Sequence, residues 1–199
     1  MEFVDFERYR RLGIVATDTA IGGKRRLPGD AKLDTRPMVR VNQAGEYGAA
    51  RIYAGQLAVM GGRGRVAGQI AHMAAQEQRH LEAFDALMIE RGVRPTVFAP
   101  VWHVAGYALG AATALLGPKA AMAATVAVET VIDAHYGEQA DALADGADPT
   151  LAALVDDFRA EEVEHRDTAA THVGENGFPV MQAAIRAGCR LAIAVAKRI

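Results

Sequence analysis

The 199-residue chain has one cysteine, Cys189, so no internal disulfide can staple the fold, and a reducing compartment suits it. A basic excess is missing as well. Lys and Arg number 22 against 24 Asp and Glu, a net charge of −2, which excludes the broad cationic footprint of a nucleic-acid binder. Aromatics make up 6% of the residues and β-branched runs are short, so no strand pattern emerges. The opening MEFVDFERYRRLG carries acidic residues and no continuous apolar run, unlike a secretory signal. A Rossmann glycine fingerprint is absent, so the chain carries no visible nicotinamide domain of its own.

What remains is an alanine-rich, helix-forming chain. Residues 1–36 read as a mobile N-terminal arm, because AIGGKRRLPGD mixes Gly, Pro and like charges. A helix is expected from DTRP, capped by Asp34 or Thr35 with Pro37 in its first turn, and it stops at GGRG. A second covers RVAGQIAHMAAQEQRHLEAFDALMIER and ends at Gly92. Thr96 to Pro118 then holds no charged residue, with its centre at 101–117. Two further long helices follow, the first opened by Pro118, the second beginning near Asp148 or Thr150. The segment VMQAAIRAGCRLAIAVAKRI closes the chain as an amphipathic helix with a basic end. The fold class is therefore all-α: a four-helix bundle over residues 37–199, with an added apolar segment and a C-terminal amphipathic helix.

Two of the six histidines sit in Glu-x-x-His motifs, Glu77/His80 and Glu162/His165. Residues three apart share a helical face, so each motif aims a carboxylate and an imidazole at one point. A helix with a single glutamate in an apolar setting precedes each motif, Glu46 before Glu77 by 31 positions and Glu129 before Glu162 by 33. That order is the one used by ferritin-like di-iron or di-manganese bundles. Four carboxylates balance two divalent ions; without metal, four converging buried carboxylates would repel and take up protons. Oxygen and imidazole donors suit iron or manganese better than structural zinc. Taken singly, each element has a plainer reading as a solvated helix face, and Glu161 and Glu164 crowd the second motif. Gln76 leaves only Glu77 in the first motif, so symmetry selects Glu162 in the second.

Together RVNQAGEYGAARIYAGQ, EQRHLEAF followed by RPT, AVETVIDAHY and EEVEH closely resemble the demethoxyubiquinone hydroxylase family, from about Arg40 to the C-terminus. The resemblance implies a ferritin-like di-iron monooxygenase that hydroxylates the ring of a polyprenylated methoxy-benzoquinol with O2, in ubiquinone biosynthesis. It carries Glu46, Glu77, His80, Glu129, Glu162 and His165 onto the family's ligand positions for two Fe ions. It also implies that His135 and Tyr136 contact substrate or deliver electrons; Tyr136 lies seven after Glu129, on roughly the same face, and is otherwise a core tyrosine. Two electrons must come from a reductase partner or from NADH, and other ubiquinone-biosynthesis proteins are possible partners.

A polyprenyl tail lies in a bilayer, so the apolar window is expected to embed one face as an interfacial hairpin; Pro100, Gly106, Gly110 and Gly117 speak against spanning. Gly106 and Gly110 form a GxxxG, and Arg186, Arg190, Lys197 and Arg198 could meet anionic headgroups. The expected location is the cytoplasmic face of the inner membrane, as a peripheral protein. Two rivals remain: a rubrerythrin- or ferritin-like protein handling iron or peroxide, and a non-catalytic membrane-binding bundle. Cys189, His72, His103 and His172 lack ligand spacing and read as packing, supporting or surface residues.

Overall fold

A computed structural model describes residues 33–61, 64–174 and 177–198, so most of the expected N-terminal arm lies outside the described residues. Among the described residues six helices follow in order: α1 (Arg36–Met60), α2 (Arg65–Arg91), α3 (Ala99–Leu115), α4 (Pro118–Leu143), α5 (Pro149–Val173) and α6 (Pro179–Ala196). No strand occurs among the described residues.

The helix ends follow local chemistry. Gly61 and Gly92 take left-handed backbone, φ 66° and 61°, and their N–H groups donate back to Leu57 and Ile89 carbonyls. Thr35 stands at the start of α1 but makes no cap bond; its hydroxyl donates instead to Asp148 Oδ2 at 2.8 Å. Asp148 caps α5 by accepting from the Leu151 N–H at 3.1 Å. It also accepts from Arg91 Nη2 at 3.0 Å, so one carboxylate ties the starts of α1 and α5 to the end of α2.

The bundle consists of the α1–α2 and α4–α5 pairs, with α3 and α6 laid over the α1/α4 face. The α1–α3 contact needs glycine on both sides. A Cβ on Gly110 would run into the Ile52 carbonyl, and one on Gly55 into the Tyr107 carbonyl. The expected GxxxG is thus a seam between α3 and α1. Helix α4 is buried almost all round in its first half, where Ala120 to Ala124 have no exposed surface. This explains why its sequence shows so little amphipathic pattern.

Two apolar clusters fill the two ends of the bundle. One holds Phe84, Leu87, Leu154 and Phe158; the other holds Ile70, Met73, Met122 and Ala169. Between them, at the level of residues 77–80, the interior is polar. Outside, α3 and α6 keep much apolar surface uncovered: Val104 is 67% exposed, Leu115 75% and Leu191 66%. By length and composition α6, with a mean hydropathy of 1.2 and only 11% of its span buried, is also sufficient to cross a membrane.

Candidate metal centre

All six expected donors are buried to within 1% of full enclosure: Glu46 on α1, Glu77 and His80 on α2, Glu129 on α4, Glu162 and His165 on α5. They form two groups whose donor atoms lie within 4.8 Å of one another, Glu46/Glu77/His80/Glu162 and Glu77/Glu129/Glu162/His165. Glu77 and Glu162 belong to both. His80 Nδ1 stands 3.1 Å from Glu162 Oε1 and 3.4 Å from Glu46 Oε2. His165 Nδ1 stands 3.2 Å from Glu162 Oε2 and 3.3 Å from Glu77 Oε1.

Nearly every inward-facing atom lacks a hydrogen-bond partner. Both oxygens of Glu77, Oε2 of Glu46, Glu129 and Glu162, and Nδ1 of His165 are buried and bare. Bare buried oxygens cost free energy unless something cationic meets them, so this donor set fits a metal ion.

Outward atoms, by contrast, are held. Tyr53 Oη donates to Glu129 Oε1 at 2.8 Å, and Tyr136 Oη donates to Glu46 Oε1. His80 Nε2 meets Glu161 Oε2 at 2.9 Å, and His165 Nε2 meets Gln76 Oε1 at 3.0 Å. These contacts set each Nε2 as an outward N–H, so that each Nδ1 would be the nitrogen that offers its lone pair to a bound cation. Glu161, ambiguous by spacing, lies outside the donor cluster, and Glu162 lies within it. Tyr53, Gln76 and Glu161 escaped the motif reading, yet a signal exists. Tyr53 follows Glu46 by seven positions, as Tyr136 follows Glu129, and Gln76 and Glu161 each precede a motif glutamate.

The electrostatics reflect crowding. Burial, then the neighbouring carboxylates Glu162, Glu46 and Glu129, pushes Glu77 well above the usual carboxylate range. Burial and Glu162 do the same to Glu129, despite the Tyr53 bond. Burial opposes the charge of Glu162, yet the imidazoles of His165 and His80 beside it hold it down to about 2. His80 also resists burial and is raised to about 11 by Glu161, Glu162 and Glu46. Burial and the nearby carboxylates keep Tyr53 and Tyr136 as neutral phenols.

His135 is 7% exposed, and burial and then Lys197 lower it to about 4, so its imidazole is neutral. It contacts Gln139, which pairs with Asn42 at 2.9 Å. His103 meets Tyr47 Oη at 2.5 Å between α3 and α1, away from the donor cluster. Burial, with Glu129 second, pushes the Cys189 thiol up to about 11, in keeping with a packing residue.

A model of the family described as ubiquinone biosynthesis protein COQ7 matches residues 34–196. The 3-demethoxyubiquinol 3-hydroxylase of Rhodospirillum rubrum is 54% identical over 179 residues, covering 87% of this chain and 84% of that protein. The NADPH-dependent 3-demethoxyubiquinone 3-hydroxylase of Homo sapiens mitochondria is 48% identical over 168 residues, 81% of this chain and 76% of that protein. The mitochondrial 5-demethoxyubiquinone hydroxylase of Saccharomyces cerevisiae is 40% identical over 179 residues, 81% and 77% of the two chains.

Proposed function

This chain belongs to the family of ubiquinone biosynthesis protein COQ7, and from that membership we propose that it is a di-iron monooxygenase hydroxylating the ring of a polyprenylated demethoxyubiquinol. The observation that carries the reading is the pair of overlapping donor groups sharing Glu77 and Glu162. Glu46 and His80 would serve one ion, Glu129 and His165 the other, and Glu77 and Glu162 both. When bound, the metal pair supplies O2 activation. Quinol, O2, two electrons and two protons then yield the hydroxylated quinol and water. The relatives from animals are named NADPH-dependent, which makes a nicotinamide the expected source of those electrons.

The protein's own groups prepare the site. The apolar clusters above and below the donors exclude bulk water from the reaction. Tyr136 holds a proton at Oη against Glu46, beside the apolar cluster of Phe84, Leu87 and Phe158. Neutral His135, whose Nε2 accepts from the Gln139 amide, keeps its proton on Nδ1 and can donate it to a quinol oxygen. The uncovered apolar faces of α3 and α6 would rest on the membrane, the expected cytoplasmic face of the inner membrane in a bacterium, and let the prenyl tail remain in lipid.

The test is to load the protein anaerobically with Fe(II), add a short-chain demethoxyquinol and NADPH or NADH, then admit 18O2. Two irons per chain and one labelled oxygen in the quinol ring are expected. Two irons oxidised without quinol product would favour an iron- or peroxide-handling protein. Absence of bound iron would leave a non-catalytic bundle.

A further inference from the structure

Two halves of the bundle, α1–α2 and α4–α5, exchange roles around the donor cluster. The tyrosine seven after each single glutamate bonds the other half's glutamate: Tyr53 to Glu129, Tyr136 to Glu46. The residue before each motif glutamate bonds the other half's histidine: Gln76 to His165, Glu161 to His80. The symmetry fails at two corresponding places. Position 76 is an amide where position 161 is a carboxylate, and position 79 is Arg where position 164 is Glu.

These breaks give the two histidines unlike surroundings. His80 Nε2 faces Glu161, whose charge is paired with Arg79. The His80 ring also stacks on Phe158 at 4.0 Å, and the Arg79 guanidinium lies 5.5 Å above that phenyl ring. The imidazole is thus supported by an anion and sealed by an aromatic and a guanidinium. His165 Nε2 faces the neutral Gln76. It borders an open cavity of about 280 Å³ lined also by Gln69, His72, Gln76, Glu164 and Thr168. The Gln69 Oε1 atom is buried without a partner, and at the exposed edge of this cavity Glu164 carries a negative charge and Arg65 a positive one.

We propose that the two metal positions are unequal by construction: the Glu46/His80 position is the tight one, and the Glu129/His165 position is the exchangeable one, loaded through the cavity beside His165. This rests on the two-metal reading above. A carboxylate behind an imidazole makes the imidazole a stronger donor than an amide does, and such outer partners are worth about 10–100-fold in metal affinity. The cavity adds a kinetic difference of the same sign, since it brings an ion past Gln69 and Glu164 to the outer edge of the His165 ring, where only that ring and Gln76 have to swing aside.

Full-length protein loaded anaerobically with two Fe(II) ions is challenged with excess ferrous chelator, and release is followed by the absorbance of the chelate. One ion should leave at least about 10-fold faster than the other. Glu161→Gln should accelerate the slow phase and draw the phases together, whereas Gln76→Glu should retard the fast phase. Gly68→Leu offers a variant without changes to any donor or its partner. Gly68 lines the cavity, and a Cβ there meets nothing within 4 Å, so the leucine should obstruct the passage and slow only the fast phase. Release of both ions at one rate from wild type, or a Glu161→Gln effect on the fast phase alone, would overturn the inference while leaving the two-metal reading intact. Failure of wild type to take up two ions would overturn both.

Discussion

Tyr53 and Tyr136 each place a phenol proton on a carboxylate whose other oxygen is turned inward and bare. Tyr136→Phe removes the proton beside Glu46 while leaving every donor atom in place. Turnover should fall by about 10-fold or more, within the range of a lost acid–base group, and iron content should stay near wild type. Equal losses in both, measured by product formation and metal analysis, would reduce Tyr136 to a packing role. The acid–base state of the site also sets how metal-free stability depends on pH. Glu162, held at about 2 against an ordinary 4.5, adds stability that is present above 4.5 and lost as pH falls through 2. Glu77 and Glu129 are raised by burial and by like charge, so the folded state holds protons there that the unfolded state has released above 4.5. His80, raised to about 11 by its carboxylates despite burial, adds stability that is complete below 6.5 and lost towards 11. All three raised groups bend the curve the same way: the metal-free protein should be most stable near pH 4.5, should weaken above it as Glu77 and Glu129 resist ionising, and should weaken more steeply above 6.5 as His80 adds its share. Urea unfolding of chelator-treated protein at pH 6 and pH 9 checks this. Added Fe(II) should release protons and flatten the slope, because metal replaces the protons on the carboxylates.

At the scale of the helix, the strongest single tie is Asp148, which caps α5 and receives Thr35 and Arg91. Burial opposes its charge, but the Arg91 and Thr35 bonds and the Leu151 N–H hold its carboxyl below the ordinary 3.8. Its contribution is therefore present above that value and lost as pH falls below it. Asp148→Ala should cost about 1–3 kcal/mol in urea unfolding, a lost cap plus a stranded guanidinium. The α1–α3 seam behaves differently. Gly110→Val would push against the Ile52 backbone, which cannot yield like a side-chain tip, and should cost about 1–3 kcal/mol. Val104→Asp, on the uncovered face of the same helix, should change stability by about 0.5 kcal/mol or less.

For the whole molecule, the layout is polar on one side and apolar on the other. The cavity beside His165 opens between α2 and α5, whereas α3 and α6 cover α1 and α4 with apolar residues facing outward. The donor cluster lies between them, so on the proposed function a lipid-borne quinol would approach it from the side opposite the cavity. Sedimentation with vesicles containing anionic lipid should recover wild type, and the paired change Val104→Asp with Leu191→Asp should leave the protein in the supernatant although it folds and binds iron. Equal recovery of both proteins would remove the membrane reading of these two helices.

Much of this was local chemistry and therefore readable from the chain. Helix-forming runs, the Gly61 and Gly92 stops, Pro118 as an opener and the i, i+3 spacing of the Glu-x-x-His motifs depend on neighbours within a turn or two. The all-α class and the convergence of the six donors followed from that periodicity and from the matched order in two halves. Symmetry with Glu77 selected Glu162 over Glu161 from the sequence, but the role left to Glu161 came from the rotation of α5 against α2, which turns Glu162 inward and sets Glu161 on His80 Nε2. The crossed tyrosines join residues 76 and 90 positions apart, and the Gln76 and Glu161 contacts span 89 and 81, so no window of sequence contains them. The partner of the Gly106/Gly110 seam and the uncovered face of α6 were likewise set by docking. Periodicity says which residues share a face; only the packing of one helix on another says what that face meets.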